Sequence, residues 1–121
     1  MRNEHFGPEI EAYSQWMRLQ GKSEATVGNN AGYCRSFVRF GIGNIEGFTL
    51  AGIDEATLLA FAQHMRAKGF RRSTISSEVG GAIAWCRWLK AGHKIKDGQI
   101  ADSLKASKIV DSVMGASGQR W

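Results

Sequence analysis

Two stretches of this chain, offset by 48 residues, carry the same helix-hairpin pattern, and that duplication constrains the fold more than any single residue. From the pair Ala12/Ala60 to the pair Arg39/Arg87, 8 of 28 aligned positions are identical: Ala12/Ala60, Gln15/Gln63, Met17/Met65, Arg18/Arg66, Gly21/Gly69, Thr26/Thr74, Gly32/Gly80 and Arg39/Arg87. The apolar stripes superimpose as well. Ile10, Tyr13 and Met17 align with Leu58, Phe61 and Met65, and Val27, Ala31, Cys34 and Val38 with Ile75, Val79, Ala82 and Cys86. Steps of three and four residues mark one face of an α-helix. A lone hairpin cannot bury such a face, so two copies are expected to close on each other as an all-α unit of four principal helices.

Local signals predict where those helices begin and end. Pro8 or Glu9 opens the first, because proline is tolerated in a first turn and Glu9 and Glu11 suit the dipole there. It runs to about Gln20 and stops at Gly21. Ser23 is a good N-cap for a second helix to about Phe40, and residues 41–47, rich in glycine, read as a loop. Asp54 caps a third helix to about Lys68, ended by Gly69. A fourth starts between Arg71 and Ser73 and reaches Lys90, with Gly92 closing it. Arg71 stands where the first half has Ser23, so Ser73 is the expected cap, two residues late. Residues 1–91 thus read as a helical domain and 92–121 as a polar linker. Ile100, Leu104, Ile109, Val113 and Met114 mark a fifth, amphipathic helix there, between about Gly98 and Met114.

With 121 residues and 43% hydrophobic content there is room for one core. No run of 18 apolar residues occurs, and Met1–Glu11 carries three glutamates without an apolar stretch, so a soluble cytoplasmic protein is the expectation. Cys34 and Cys86 fall on the apolar stripes and read as packed free thiols, with a disulfide the alternative. His5, His64 and His93 are scattered and no paired cysteines occur, so no metal is expected. Trp16, Trp85 and Trp88 read as core or near-core aromatics; Trp121 has no assignable role.

Charge is unevenly placed. Residues 1–60 hold five basic and seven acidic side chains, net −2; residues 61–121 hold eleven and four, net +7. Arg66, Lys68, Arg71 and Arg72 cluster with no acid between Glu55 and Glu78, which suits a polyanion. Gly21-Lys22-Ser23 ends like a phosphate loop, but Trp16 occupies the required earlier glycine position and no strand precedes it. Gly41, Gly43 and Gly47 have the wrong spacing for a dinucleotide loop. The helix entrances remain. Lys22, Ser23, Thr26, Asn29 and Asn30 lie at the second helix, and Arg71, Arg72, Ser73, Thr74 and Ser77 at the fourth. Free backbone N–H groups, hydroxyls and cations there bind phosphate, while Asn and Arg can read base edges. Helix capping alone also accounts for the Ser, Thr and Asn.

Gln20 to Val27 is similar to the loop that opens the second helix of tyrosine recombinases. Gly69-Phe70-Arg71-Arg72-Ser73-Thr74-Ile75 and Trp85-Cys86-Arg87-Trp88-Leu89 resemble the start and end of their fourth. Residues 8–91 together resemble the N-terminal core-binding, SAM-like domain of phage-type integrases. The resemblance implies half of a clamp on double-stranded DNA during site-specific recombination, with the front halves of the second and fourth helices against the duplex. It implies other recombinase subunits as partners, and no cofactor, small-molecule substrate or membrane. It also makes the tail a linker toward a catalytic domain, or a fifth helix touching a neighbouring subunit. The family's catalytic tyrosine, arginines, lysine and histidine belong to a separate domain. Its His-x-x-Arg step is absent here, since Ala67 follows His64 and Lys96 follows His93, so this chain is not expected to be an enzyme. The rival readings are a stand-alone helical protein-interaction module using residues 98–114, and a fragment of an enzyme whose activity lies in sequence beyond Trp121.

Overall fold

The computed structural model of the chain describes residues 6–92, 95 and 99–115; His5, His93, Gly98 and Trp121 lie outside them. Among the described residues the protein is all-helical, with α1 (Phe6–Leu19), α2 (Glu24–Asn44), α3 (Glu55–Ala67), α4 (Arg72–Ala91) and α5 (Ala106–Met114), and no strand. A single 3₁₀ turn, Leu50–Gly52, precedes α3. None of these helices is long and apolar enough to cross a membrane.

The duplication is visible down to individual hydrogen bonds. α2 and α4 start 48 residues apart, and the turns before them are built alike. Gly21 and Gly69 adopt left-handed φ values of 84° and 89°. In the first half the Lys22 N–H donates to the Met17 carbonyl at 3.1 Å and Gly21 N–H to Arg18; in the second, Phe70 donates to Met65 at 3.2 Å and Gly69 to Arg66. These paired bonds satisfy the last carbonyls of α1 and α3 and need a residue free to adopt positive φ, which is why both glycines recur. Ser23 caps α2 by accepting from the Thr26 N–H, and Asp54 caps α3 by accepting from Thr57, whose hydroxyl in turn accepts from the Asp54 N–H.

The two hairpins pack by exchange. Tyr13 of α1 meets Trp88 of α4 at a ring-centroid distance of 5.3 Å and a tilt of 45°; Phe61 of α3 meets Phe40 of α2 at 5.5 Å and 44°. Swapping the halves converts one pair into the other, so the hairpins are related by an approximate twofold. The axis passes where α2 crosses α4, at Tyr33 and Gly81, which are also equivalent positions of the repeat. Every stripe residue of the repeat is buried, and Phe37 and Trp85, again equivalent, are fully so. At roughly 25 cal/mol per Å² of apolar surface, such aromatics dominate the core energetically. Cys34 and Cys86 pack here as free thiols, and burial pushes both up to about 12, so neither is ionised near neutrality.

Four expectations are corrected. α2 runs on through Gly41, Ile42 and Gly43 to Asn44, so only residues 45–47 of the expected loop lie outside helix. Gly41 serves close packing there: a Cβ would lie 2.3 Å from the Phe48 ring. Ser73 does not cap α4; Arg71 holds the cap position with no side-chain bond. The tail helix begins only at Ala106, and Ile100 and Leu104 are buried without being helical. Trp16 is not a core residue: it is 42% exposed, stacked on Tyr13, while Trp85 is buried and Trp88 half-buried.

The segment expected as a polar linker joins the core through Ile95, Ile100, Leu104, Ile109, Val110 and Val113, and α5 packs across α3 and α4. Among the described residues only the α3–α4 hairpin is covered in this way, and the repeat has diverged accordingly. Arg72, Gly80 and Arg87 touch the tail and share a face of α4 with buried Ile83; the equivalent positions on α2 are Glu24, Gly32, exposed Arg35 and exposed Arg39. Likewise Leu59 and Ala62 of α3 correspond to exposed Glu11 and to Ser14, whose hydroxyl is internally bonded to the Ile10 carbonyl. At Ile83 against Arg35 and Leu59 against Glu11 an apolar side chain on the hairpin that carries α5 replaces an exposed charged one on the other, as the cost of exposing apolar area demands.

Candidate nucleic-acid interface

The ten candidate residues occupy the first turns of α2 and α4, at equivalent places in the two hairpins, but they are not equally free. At α2, the Ser23 hydroxyl is engaged with the Thr26 amide and hydroxyl, both at 3.1 Å, and Asn30 Nδ2 donates to the Thr26 carbonyl at 2.8 Å. These three residues therefore stabilise the helix start itself. Lys22 and Asn29 are exposed and have no hydrogen bond or ion pair among the described residues. Glu24 beside them is paired with Arg18 at 3.0 Å, which removes one charge that would oppose a polyanion.

At α4 the roles divide between neighbours. Arg71 is exposed with no bonded partner among the described residues, whereas Arg72 is half-buried and pairs with Asp111 of α5 at 2.9 Å. Its second amino group donates to the Gly115 carbonyl. Ser73 and Ser77 are exposed and Thr74 half-buried, with no side-chain bond among the described residues. Because Arg71 supplies no side-chain cap, the first N–H groups of α4 lack the acceptor that Ser23 gives α2.

Much of the basic excess of the second half is internal scaffolding. Arg66 donates to the Val113 carbonyl, and Arg87 to the carbonyls of Asp102 and Leu104. Lys90 donates to the Ile100 carbonyl at 3.1 Å and pairs with Asp102, holding that carboxyl below its usual range. These cations fasten the tail to α3 and α4. Of the Arg66–Arg72 cluster, Lys68 and Arg71 are exposed and have no bonded partner among the described residues.

A second polar site was not legible in the sequence. A cleft of about 380 Å³ opens between α2, α3 and α4, walled by Phe40, Phe61 and His64 and rimmed by Arg39, Lys68 and Phe70. Glu78 lines it. One of its carboxylate oxygens, Oε1, is buried without a hydrogen-bond partner, and Ser36 bonds the carboxyl. Burial holds its pKa above the usual carboxylate value, with the Ser36 bond pulling the other way. In the sequence Glu78 marks only the end of an acid-free stretch; nothing local announces that it faces a cleft. The repeat-related cleft holds Trp16, Trp88, Ala91 and Gly92, the equivalents of His64, Phe40, Gly43 and Asn44, and encloses about 330 Å³.

No protein-family model, no curated protein and no solved structure matches the chain, so the architecture and the side chains themselves carry the functional reading.

Proposed function

We propose that the chain is a duplex-DNA-binding module of the kind that tyrosine-recombinase integrases use to grip DNA, without the catalytic half. The observation that carries this reading is the pair of helix starts built by one repeated turn, α2 at Glu24 and α4 at Arg72, with Lys22 and Asn29 beside the first and Arg71, Ser73 and Ser77 beside the second, all exposed. Uncapped N–H groups at α4 and the cations Lys22, Lys68 and Arg71 suit phosphate oxygens; Asn29, one turn into α2, suits a base edge. Ser23, Thr26 and Asn30 support the site by fixing the start of α2, and Arg72 by fixing that of α4 to α5.

The rival reading, a protein-interaction module working through residues 98–114, draws no support from the fold. Ile109, Val110 and Val113, the apolar face such a partner would use, are already buried.

The deciding experiment is a salt-titrated binding assay on short duplexes. With about three phosphates contacted, log K falls against log salt with a slope of about −2.7. Absence of binding at low salt, or affinity indifferent to salt between about 50 and 200 mM, rejects the reading.

A further inference from the structure

We infer that the groove between the start of α1 and the end of α2 is a docking site for a short non-helical segment of a partner protein, one carrying aliphatic side chains and a carboxylate. The inference does not depend on the duplex reading, which uses other residues. It starts from the repeat. On the second hairpin the chain's own residues 99–104 cross the equivalent place, in one turn closed by the Leu104 N–H donating to the Ala101 carbonyl at 3.1 Å. Three side chains hold that segment. Glu55 Oε2 accepts from the Ala101 N–H at 3.2 Å, Lys90 Nζ donates to the Ile100 carbonyl at 3.1 Å, and Arg87 donates to the carbonyls of Asp102 and Leu104. Their repeat equivalents are Gly7, Ile42 and Arg39, and all three line an open groove on the first hairpin. One copy of the site is filled by the chain itself, and the other is uncovered among the described residues.

The open copy is shaped to receive such a segment. It encloses about 540 Å³ over a buried floor of Phe6, Ile10 and Val38, and Ile42, 39% exposed, stands at its edge. A Cβ added at Gly7 or Gly43 meets nothing within 4 Å, so an incoming backbone can lie close against both helices. Arg39 keeps the guanidinium with which Arg87 holds two carbonyls, yet it is exposed and has no bonded partner among the described residues. Further along that face, where α5 lies on its own hairpin, the first hairpin presents Glu11, the internally bonded Ser14 and the Arg18–Glu24 pair. The site therefore suits a counterpart of residues 100–105 and not a helix like α5.

The differences between the two grooves select the ligand. Ile100 and Leu104 are buried in the filled copy, which calls for two aliphatic side chains four residues apart. Lys90, the partner of the Asp102 carboxylate, is replaced by Ile42, so an apolar side chain is favoured where the tail carries that acid. Buried Ile83 is replaced by Arg35, exposed and without a bonded partner among the described residues. The tail passes that position at Lys105, between Leu104 on Arg87 and Ala106 beside Gly80, so the partner segment carries a carboxylate there. Two arginines and no acid line the groove, which disfavours Lys105 and hence the tail of a second copy.

The test is an NMR titration of the isotopically labelled full chain with two synthetic peptides, acetylated and amidated. One has the chain's own residues 99–106, Gln-Ile-Ala-Asp-Ser-Leu-Lys-Ala; the other carries Asp102→Leu and Lys105→Glu. The second peptide is expected to give saturable shifts at Gly7, Arg35, Arg39, Ile42 and Gly43, and the first to bind at least about tenfold more weakly. In the protein, Arg39→Ala should weaken the second peptide about tenfold through lost hydrogen bonds from a charged group, and Ile42→Asp should abolish its binding. Both positions are exposed, and unchanged melting temperatures verify that the variants fold. The inference is overturned by the absence of a saturable response to the second peptide, by shifts confined to α3 and α4, by equal affinity for the two peptides, or by Arg39→Ala binding as well as the unaltered chain. Displacement of the peptide by a DNA duplex overturns it in favour of nucleic acid. A dimer of the chain alone, seen by sedimentation and abolished by Ile42→Asp, overturns it in favour of a second copy.

Discussion

Tyr33 packs against Gly81 so closely that a Cβ on the glycine would lie 2.4 Å from the ring Cδ2 and 2.5 Å from the Cβ of the tyrosine. This is the crossing point of α2 and α4, and the absent side chain sets how near the two hairpins come. Gly81→Ala should destabilise the fold by about 1–3 kcal/mol, overpacking outweighing the roughly 1 kcal/mol that alanine contributes to helix propensity. Thermal denaturation checks this. Since the Cβ of Tyr33 is itself in the way, Tyr33→Ala should not relieve the strain, whereas Gly81→Ala in a Tyr33→Gly background should be tolerated.

Ile75 is fully buried on the stripe that the repeat shares with Val27. Truncation to alanine is expected to cost about 2–5 kcal/mol, from lost burial and the cavity left behind. Chemical denaturation of Ile75→Ala with an unchanged midpoint would place that stripe on the wrong side.

Arg72 and Asp111 join α4 to α5, and both side chains are more than a third exposed, at 35% and 43%. Breaking the pair with Asp111→Asn should therefore cost no more than about 1 kcal/mol. If the duplex reading holds, the same change frees a cation at the start of α4, so affinity for any duplex should rise and the salt slope steepen by up to about one unit. Binding isotherms of the two proteins at several salt concentrations decide it.

Arg71 and Asn29 are expected to part company on DNA. Arg71→Ala should weaken all duplexes alike and flatten the salt slope by about 1, as for one lost phosphate contact. Asn29→Ala should leave non-specific binding intact and cost about 1–3 kcal/mol only on a cognate site. Neutrality of Arg71→Ala on every duplex would mean that the turn is merely solvated.

Glu78 should make stability depend on pH. Its pKa is raised in the folded chain, mainly by desolvation, so its stabilising contribution is complete below the unfolded carboxylate pKa of about 4.3 and is lost as pH rises through the folded value. At neutral pH the ionised group opposes folding. Glu78→Gln should accordingly raise the melting temperature near pH 7 and lose that advantage toward about pH 4. Parallel melting curves across that range check it; equal melting temperatures throughout would mean that the carboxylate is as well solvated as in the unfolded chain.

The sequence by itself determined what short-range physics controls. Periodicity three and four residues apart identified the buried stripes, and the turns at Gly21 and Gly69 and the caps at Ser23 and Asp54 are settled within five residues of chain. The repeat also foretold that two hairpins would close on one another. Only the tertiary structure decided what depends on partners far along the chain. Gly41 resembles a helix breaker locally, yet the helix continues because Phe48 folds back onto it. Arg66 and Arg72 look alike with Lys68 and Arg71 as a basic cluster, but the first two reach residues of the tail 47 and 39 positions away and hold it, leaving the others to solvent. Glu78 likewise acquires its buried oxygen only when α2 and α3 close around it. A side chain's environment is set by whatever the folded chain brings beside it, and sequence neighbours carry no record of that.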